Sequence, residues 1–312
     1  MRIIRYPHHR SLRQAACVTI GNFDGIHLGH QALISDVVSK AKKQGCLSVV
    51  VTMMPLPMQY FNGKSSVDVL TQFKHKANIL DSMGVDVMCV LNFNELLADM
   101  SAREFFLRVL VKGLCAQYIL VGDDFRFGSN RTGGYEQLRT WSQAENIVAK
   151  QLHSVTVSGE RVSSSDIRSQ LRHGEFASAK KMLGRHFNLL GRVGHGRKLG
   201  RTLGYPTINI SLRAGGFPLH GVYATEIIIH GQCHQSVTSV GINPTVGGNA
   251  KRVEVYVFDF NANVYGQSVE VLFYKKLRNE VEFDNINDLT SAISQDVKRS
   301  REFFASYKGE LV

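Results

Sequence analysis

The 312-residue sequence lacks the features that mark membrane and secreted proteins. No apolar run approaches the ~20 residues that a membrane-spanning helix needs. The apolar run after the basic start is too short and too interrupted for a signal peptide. The five cysteines are scattered, without a C-x-x-C pair, and predict neither a zinc site nor a disulfide framework. We therefore expect a cytoplasmic protein with no membrane partner.

The sequence also lacks the G-x-x-x-x-G-K-[S/T] loop, which removes the commonest explanation for an ATP-binding protein. The formal net charge is +11, but basic residues are spread over both halves without a dense block. This charge is compatible with a polynucleotide partner and equally with strongly anionic small-molecule ligands. We expect the second and no nucleic-acid partner.

Apolar runs alternate with helical patterns in the first part of the chain. Four runs predict buried strands, namely ACVTIG, LSVVVTMM, VDVMCVLNF and AQYILVG, and helical segments lie between them. This alternation predicts an α/β domain with a mostly parallel sheet that is covered on both faces. The segment SSSDIRSQLRHGEFASAKKMLG predicts one or two helices that close the domain.

The pattern changes after about Arg185. Six short β-rich segments separated by glycine-rich turns predict an antiparallel barrel or sandwich. The tail predicts a closing amphipathic helix whose apolar stripe comprises Ile286, Leu289, Ile293 and Val297. We therefore predict two domains, residues 1–184 and 185–312.

The stretch GNFDGIHLGH follows the first of the buried runs and precedes a helical pattern. Gly21 and Gly25 permit a tight turn and a close approach of the backbone to a ligand. The start of the next helix offers unpaired N–H groups to a phosphate. His27 and His30 are three residues apart and share a face of that helix start. Histidines that merely satisfy local packing are the alternative, and zinc is disfavoured because no third ligand is spaced nearby.

This stretch resembles the H-x-G-H signature of the nucleotidyltransferase superfamily. The resemblance implies that His27 and His30 contact ATP phosphates and stabilise the charge that develops during attack on the α-phosphorus. It also implies a Rossmann-like domain and an ATP site that includes the turn residues Gly21, Asn22, Phe23, Asp24 and Gly25.

The segment SSSDIR resembles the second signature of that superfamily, S-S-T-x-x-R, with Ser165 where threonine is commoner. The resemblance implies that Ser164, Ser165 and Arg168 hold the leaving pyrophosphate. An ordinary helix cap would use the same residue types, and the two roles are compatible.

The segment VGDDFRFG resembles the G-x-D-F-x-F-G segment of the same family. Asp123, Asp124 and Phe125 are therefore candidates for flavin or adenosine contacts, with core packing as the alternative for the aromatic residue. In TMMPLPMQYF, Met53 replaces the aromatic residue of the family's Thr-Phe-x-Pro-x-Pro pattern.

A second candidate site lies in GRVGHGRKLGRTLGYPTINI. Thr207 and Asn209 are two apart and therefore share a face of a strand. Their hydroxyl and amide oxygens suit Mg²⁺, although an ordinary threonine-rich strand has the same spacing. GYPTIN resembles the P-T-A-N signature of riboflavin kinases. That resemblance implies a flap over the ATP phosphates with Gly196, Lys198, Gly200, Arg201 and Gly204.

In RVEVYVFDF, Glu254 alternates with aromatic residues on one face of a strand. A carboxylate in such surroundings is partly desolvated and suits proton abstraction, whereas an exposed rim carboxylate is the alternative. The resemblance to riboflavin kinases implies that Glu254 is the general base and suggests Arg278 as a flavin contact.

The two signatures in this order resemble the bacterial bifunctional riboflavin kinase/FAD synthetase family. The resemblance implies an α/β nucleotidyltransferase domain followed by an all-β barrel with a closing helix. It also implies Mg²⁺ as cofactor, ATP as co-substrate, riboflavin as substrate, and FMN and FAD as products. Two alternatives remain: a different adenylyltransferase with a structural second domain, and an RNA-binding protein, although no K-M-S-K-S motif is present.

Overall fold

The computed structural model describes residues 1–6, 12–157, 159–196, 199–212, 216–245 and 248–308. For residues 199, 201, 211, 242–245 and 248–250, only the backbone is described. The chain divides into two units. The first comprises Met1–Val67 and Phe73–Ser164, and the second comprises Asp68–Gln72 and the chain from Ser165 onward. None of the helices within the described residues combines the length and the apolarity that a membrane crossing requires.

The first unit contains a six-stranded parallel sheet with the order β1-β4-β3-β2-β5-β6. Its strands are β1 (Arg2–Tyr6), β2 (Ala16–Ile20), β3 (Leu47–Met54), β4 (Val87–Asn92), β5 (Ala116–Gly122) and β6 (Val148–Leu152). A small antiparallel pair follows, β7 (Thr156–Val157) and β8 (Glu160–Arg161). The four strands predicted from the apolar runs are confirmed, and the sequence patterns missed β1 and β6, which form the two edges.

Helices cover this sheet, as the βαβ alternation requires. They are α1 (Leu28–Gln44), α2 (Pro57–Asn62), α3 (Phe73–Ser82), α4 (Glu95–Ala98), α5 (Ala102–Phe105) and α6 (Tyr135–Ala144), with a π-helix at Phe106–Gly113 and a 3₁₀ turn at Ser129–Arg131. Consecutive residues of a strand pack in two different apolar cores. Val49 and Val51 pack in one apolar cluster, whereas Val50 packs in the other. Both faces of the sheet are therefore buried.

The second unit is built on a closed six-stranded barrel with the order β10-β13-β12-β11-β14-β9. Its strands are β9 (Phe187–Gly194), β10 (Thr207–Ser211), β11 (Gly221–Ile229), β12 (Gln232–Thr245), β13 (Gly248–Val257) and β14 (Ser268–Arg278), and all pairings are antiparallel. Its helices are α7 (Ser164–His173), α8 (Phe176–Leu183), α9 (Leu199–Thr202) and α10 (Ile286–Ser306). The prediction of an antiparallel barrel with a closing helix is confirmed.

The predicted apolar stripe of α10 is partly wrong. Ile286 is 60% exposed, and the fully buried residues of the helix are Asp296, Ser300 and Phe304. The polar residues are tolerated inside because each has a partner: Ser300 Oγ donates to the Ser236 carbonyl at 3.2 Å, and Asp296 is paired with an arginine of β14. A count of apolar residues at helical spacing cannot detect such partners.

Candidate functional site

The first candidate site is the turn between β2 and α1. The backbone reaches positive φ at Phe23, Gly25 and Ile26, with 44°, 85° and 40° respectively. The side chains of Phe23 and Ile26 are completely buried, which holds the two non-glycine residues in this strained conformation. The turn therefore has a fixed shape at the carboxyl end of a central strand, where ligands of open parallel sheets bind.

His27 and His30 lie at the start of α1, as the sequence predicts. His27 is the N-cap residue, and its Nδ1 accepts a hydrogen bond from the His30 backbone N–H at 3.3 Å. The two imidazole rings stack with centroids 3.7 Å apart, and the Phe23 ring meets His30 edge-on at 5.1 Å. A Cβ on Gly29 would lie 3.2 Å from the His27 ring, so a glycine at this position leaves the ring its space.

The imidazole of His30 favours its neutral form. Burial, then the neighbouring His27, then the Lys76 ammonium lower the pKa of His30 well below its usual range. Its Nδ1 atom is buried and has no hydrogen-bond partner among the described residues. A neutral, preorganised imidazole can donate one hydrogen bond to a phosphate oxygen.

Side chains from β3 and α3 fasten the turn. The Thr52 hydroxyl donates to the Asn22 carbonyl at 3.0 Å, and Lys76 Nζ donates to the same carbonyl at 2.6 Å. Asp24 is buried, and its carbonyl accepts a hydrogen bond from Ser164 Oγ at 2.9 Å. Lys76 is not among the residues predicted from the sequence. The sequence could have indicated it only as a lysine on the buried face of a helix, and which face is buried is known only from the structure.

The candidate site residues of the SSSDIR segment belong to different structural units. Ser164 belongs to the first unit, whereas Ser165 and Arg168 belong to the second. There Arg168 Nε donates to the Asp68 carbonyl at 2.6 Å, and Asp68 also pairs with Arg172.

Two acidic residues follow β5, and the same arginine contacts both of them. Arg161 contacts Asp123 at 3.0 Å and Asp124 at 3.1 Å. Desolvation opposes ionisation of Asp123, but hydrogen bonds from Ser154 and the charge of Arg161 outweigh it and lower the pKa of Asp123. Phe125 stacks on Phe127 at 5.1 Å against the core.

An exposed aromatic cluster that no sequence motif indicated follows β3 and β4. Tyr60, Phe61 and Phe93 make edge-to-face contacts with centroids 5.2–5.8 Å apart. Phe61 is 66% exposed, and Met58 beside it is 56% exposed. Apolar side chains clustered on the surface indicate a binding site for an apolar group.

The second candidate site lies on β10 and β13 of the barrel. In the register of these strands, Asn209 stands opposite Glu254 and Thr207 stands opposite Tyr256. Directly opposed residues of an antiparallel pair project to the same face, so the structure brings Thr207, Asn209 and Glu254 together. The Glu254 side chain is 24% exposed, and Arg252 Nε lies 3.7 Å from its carboxylate.

The glycine-rich segment before β10 lies against these side chains. A Cβ on Gly196 would overlap the Asn209 amide, and a Cβ on Gly200 would overlap the Tyr205 carbonyl and lie 3.5 Å from Thr207 Oγ1. Gly204 has a φ of 83°, which favours glycine. Lys198 lies outside the described residues, and only the backbone of Arg201, in α9, is described.

A cavity of about 340 Å³ adjoins Thr207. Its walls combine barrel residues with the loop after β13, and they include Val193, Ile208, Val257, Asn261, Val264 and Tyr265. A cavity whose walls combine apolar side chains with polar groups such as Thr207 and Asn261 is the usual form of a small-molecule pocket.

Arg278 at the end of β14 is engaged with α10. Its Nε and Nη2 donate to the Asp296 carboxylate at 2.8–3.0 Å, and Asp296 is 2% exposed. The guanidinium also lies over the Phe283 ring at 5.6 Å. The arrangement holds the closing helix on the barrel.

Comparisons with known proteins agree with both halves of this description. A family model described as FAD synthetase matches residues 9–166, and one described as riboflavin kinase matches residues 183–304. The bifunctional riboflavin kinase/FMN adenylyltransferase of Haemophilus influenzae is 37% identical over 308 residues, which cover 98% of this chain and 100% of that protein. Its counterpart in Escherichia coli K12 is 35% identical over 311 residues and covers 99% of both chains.

A solved structure shares the fold over the same length. The macrolide-efflux protein from Streptococcus pneumoniae is 29% identical and superimposes with a TM-score of 0.82, covering 96% of this chain and 99% of that one. The word efflux in that name refers to the Streptococcus pneumoniae protein and not to this chain.

Proposed function

The chain belongs to the family of bifunctional riboflavin kinases/FMN adenylyltransferases, and on this premise we propose where each of its two reactions occurs. The protein phosphorylates riboflavin to FMN with ATP and then adenylylates FMN to FAD. We assign adenylylation to the turn between β2 and α1, and phosphorylation to the shared face of β10 and β13.

The stacked histidine pair supports the first assignment. In adenylylation, a phosphate oxygen of FMN attacks the α-phosphorus of ATP, and the bond to the β-phosphate breaks to release pyrophosphate. Because His27 Nδ1 accepts a hydrogen bond, the proton of its neutral ring is on Nε2, where it can be donated. Fixed donors at a site of developing charge contribute about 3 kcal/mol each to catalysis. Turn residues 21–25 supply backbone contacts to the phosphates.

For the leaving pyrophosphate we propose Ser164, Ser165 and Arg168. The supporting observation is that Ser164 begins α7 and also contacts the Asp24 carbonyl of the turn. Helix starts carry unpaired N–H groups and attract anions, and an arginine adds charge-assisted hydrogen bonds.

The opposition of Asn209 and Glu254 carries the second assignment. Glu254 accepts the proton of the 5′-hydroxyl of riboflavin, and the hydroxyl oxygen attacks the γ-phosphorus of ATP, so that ADP leaves. Thr207 and Asn209 supply the hard oxygen ligands that Mg²⁺ prefers, and would hold it with nucleotide phosphates and water completing its coordination. Bound there, Mg²⁺ would neutralise phosphate charge. The 340 Å³ cavity beside Thr207 is our candidate for the nucleoside part of ATP.

Gly196, Gly200 and Gly204 shape the segment that lies on the magnesium ligands, and we propose that it covers the ATP phosphates together with Lys198 and Arg201. A side chain at Gly196 would collide with the Asn209 amide, and one at Gly200 would collide with the Tyr205 carbonyl. The glycines therefore permit the close approach of a backbone to phosphate groups.

For the flavin we propose two places. Beside the adenylylation site, the exposed cluster of Tyr60, Phe61 and Phe93 can stack on an isoalloxazine ring, and Asp123, Asp124 and Phe125 remain candidates for flavin or adenosine contacts. In the kinase unit Arg278 is a candidate, and its pairing with Asp296 would fix the guanidinium in place.

Three broader expectations remain proposals. The functional boundary at 184/185 is one, because the two structural units divide at Ser164/Ser165 and the family matches end at 166 and begin at 183. A cytoplasmic location is another, supported by five free thiols. The third is that the partners are riboflavin, FMN and ATP, without nucleic acid or membrane.

The test separates the two reactions within one chain. Chromatography resolves riboflavin, FMN and FAD in assays that start from riboflavin or from FMN. We expect H30A to slow FAD formation on the order of 10²–10³-fold and to leave FMN formation unchanged. We expect E254Q to slow FMN formation by roughly 10²–10⁴-fold and to leave adenylylation of added FMN unchanged. Equal losses in both reactions from either variant would contradict the two-site assignment.

A further inference from the structure

Lys76 is a buried lysine in the first unit for which the two reactions described above have no role. It lies on α3 and is only 6% exposed. A buried ammonium is unfavourable unless it has partners that repay its desolvation. Lys74, two residues earlier on the same helix, is exposed. Lys76 is therefore buried although Lys74 on the same helix reaches the solvent.

The hydrogen-bond partners that Lys76 has among the described residues belong to the turn and to β3. Nζ donates to the Asn22 carbonyl at 2.6 Å and contacts the Thr52 hydroxyl at 3.3 Å. Because Thr52 donates to the same carbonyl, the Asn22 peptide is fastened from β3 and from α3 together.

The charged surroundings of the ammonium are also those of the histidine pair. Among the described groups, the Asp24 carboxylate of the turn attracts the Lys76 ammonium. The same ammonium disfavours the protonated form of His30 in α1. His27 is stacked on His30, and β3 contributes only the neutral Thr52 hydroxyl to the contact. A positive charge fixed on the turn thus acts on His30.

We propose that Lys76 is a positioning residue for adenylyl transfer: its ammonium holds the Asn22 carbonyl and so fixes the shape of the phosphate-binding turn from which His27 and His30 follow. This inference rests on the assignment of adenylylation to that turn. The residue acts through the turn, and it need not touch the substrate.

The protonation state of Lys76 provides a signature that a purely structural lysine would lack. Burial lowers the pKa of Lys76 to about 8, and Asp24 partly opposes this effect. The ammonium is therefore present at neutral pH and is lost as the pH rises through about 8. FAD formation should decline over that range, whereas FMN formation by the same chain should not share the decline.

The experiment compares K76R, K76M and the exposed control K74M in the full-length protein. Rates of FMN adenylylation are measured from pH 6.5 to 9.5, with riboflavin phosphorylation by the same samples as the reference. We expect K76R to retain most activity and to lose the decline near pH 8, because a guanidinium stays charged throughout. We expect K76M to lower kcat/KM for FAD formation about tenfold or more, and K74M to match the wild type.

Adenylylation by K76M at the wild-type rate would overturn the proposal. If K76M does not fold, K76R carries the test, and an unchanged decline near pH 8 in K76R would equally overturn it. Failure of the site assignment is recognised separately, because H30A would then retain FAD formation. Loss of activity in H30A together with an unchanged pH profile in K76R refutes the role of Lys76 alone.

Discussion

The ion pair between Arg278 and Asp296 permits a quantitative prediction about the closing helix. The two side chains are 22% and 4% exposed, and three donor–acceptor contacts of 2.8–3.0 Å join them. Neutralising one partner of a buried pair leaves the other charge uncompensated and typically costs about 3–5 kcal/mol. Because Arg278 retains some contact with solvent, we expect D296N to lower the free energy of unfolding of the second unit by about 3 kcal/mol.

The matched control is the second arginine–aspartate pair of α10. Arg301 contacts Asp259 at 3.0 Å, but Asp259 is 81% exposed. Such a surface pair contributes about 0–1 kcal/mol, so D259N should leave stability nearly unchanged. Asparagine tolerates the φ of 54° at this position, which makes the substitution conservative.

Urea unfolding followed by two probes measures the effect. The only tryptophan of the chain, Trp141, lies in α6 of the first unit, so its fluorescence reports on that unit, whereas circular dichroism reports on both. We expect D296N to move the circular dichroism transition to lower urea and to leave the fluorescence transition in place. Equal shifts for D296N and D259N would refute the reasoning from burial.

Three further outcomes follow from the two sites. G29A should slow FAD formation without affecting FMN formation, because its Cβ would press on the His27 ring; the two product assays measure this directly. G196A should abolish FMN formation and spare FAD formation, because its Cβ would displace the Asn209 amide, and normal riboflavin phosphorylation by G196A would contradict that packing. The free energy of unfolding should fall as the pH drops below about 6.5, by up to ~1.4 kcal/mol per pH unit from His30, since the unfolded chain binds the proton that the folded chain resists. H30N should flatten this dependence in urea titrations at pH 5 to 7, and an unchanged slope would argue against a depressed pKa at His30.

Several predictions that came from local patterns are confirmed by the structure. Strand runs such as LSVVVTMM are continuous in apolar residues because both faces of the parallel sheet are buried. Gly45 ends α1 in a left-handed conformation with a φ of 64°, at the end of the predicted helical pattern. The glycine turn and its two histidines could also be recognised in the sequence, because the strand, the turn and the start of the helix are consecutive in the chain.

Other features depend on contacts between residues far apart in the sequence. Lys76 meets the Asn22 carbonyl across 54 positions, and no local pattern distinguishes it from the exposed Lys74. The burial of Asp296 in α10 depends in the same way on a distant partner, since Arg278 on β14 neutralises its charge.

The sequence by itself determined the order of elements, the two motif sets and the alternation that places Thr207 and Asn209 on one face of a strand. Tertiary structure alone decided that Asn209 stands opposite Glu254, because strand register depends on how the whole barrel closes. It alone also decided that Asp68–Gln72 belongs with the second unit. Periodicity and turn chemistry act over a few residues, whereas register and the pairing of buried charges are set by the free energy of the complete fold.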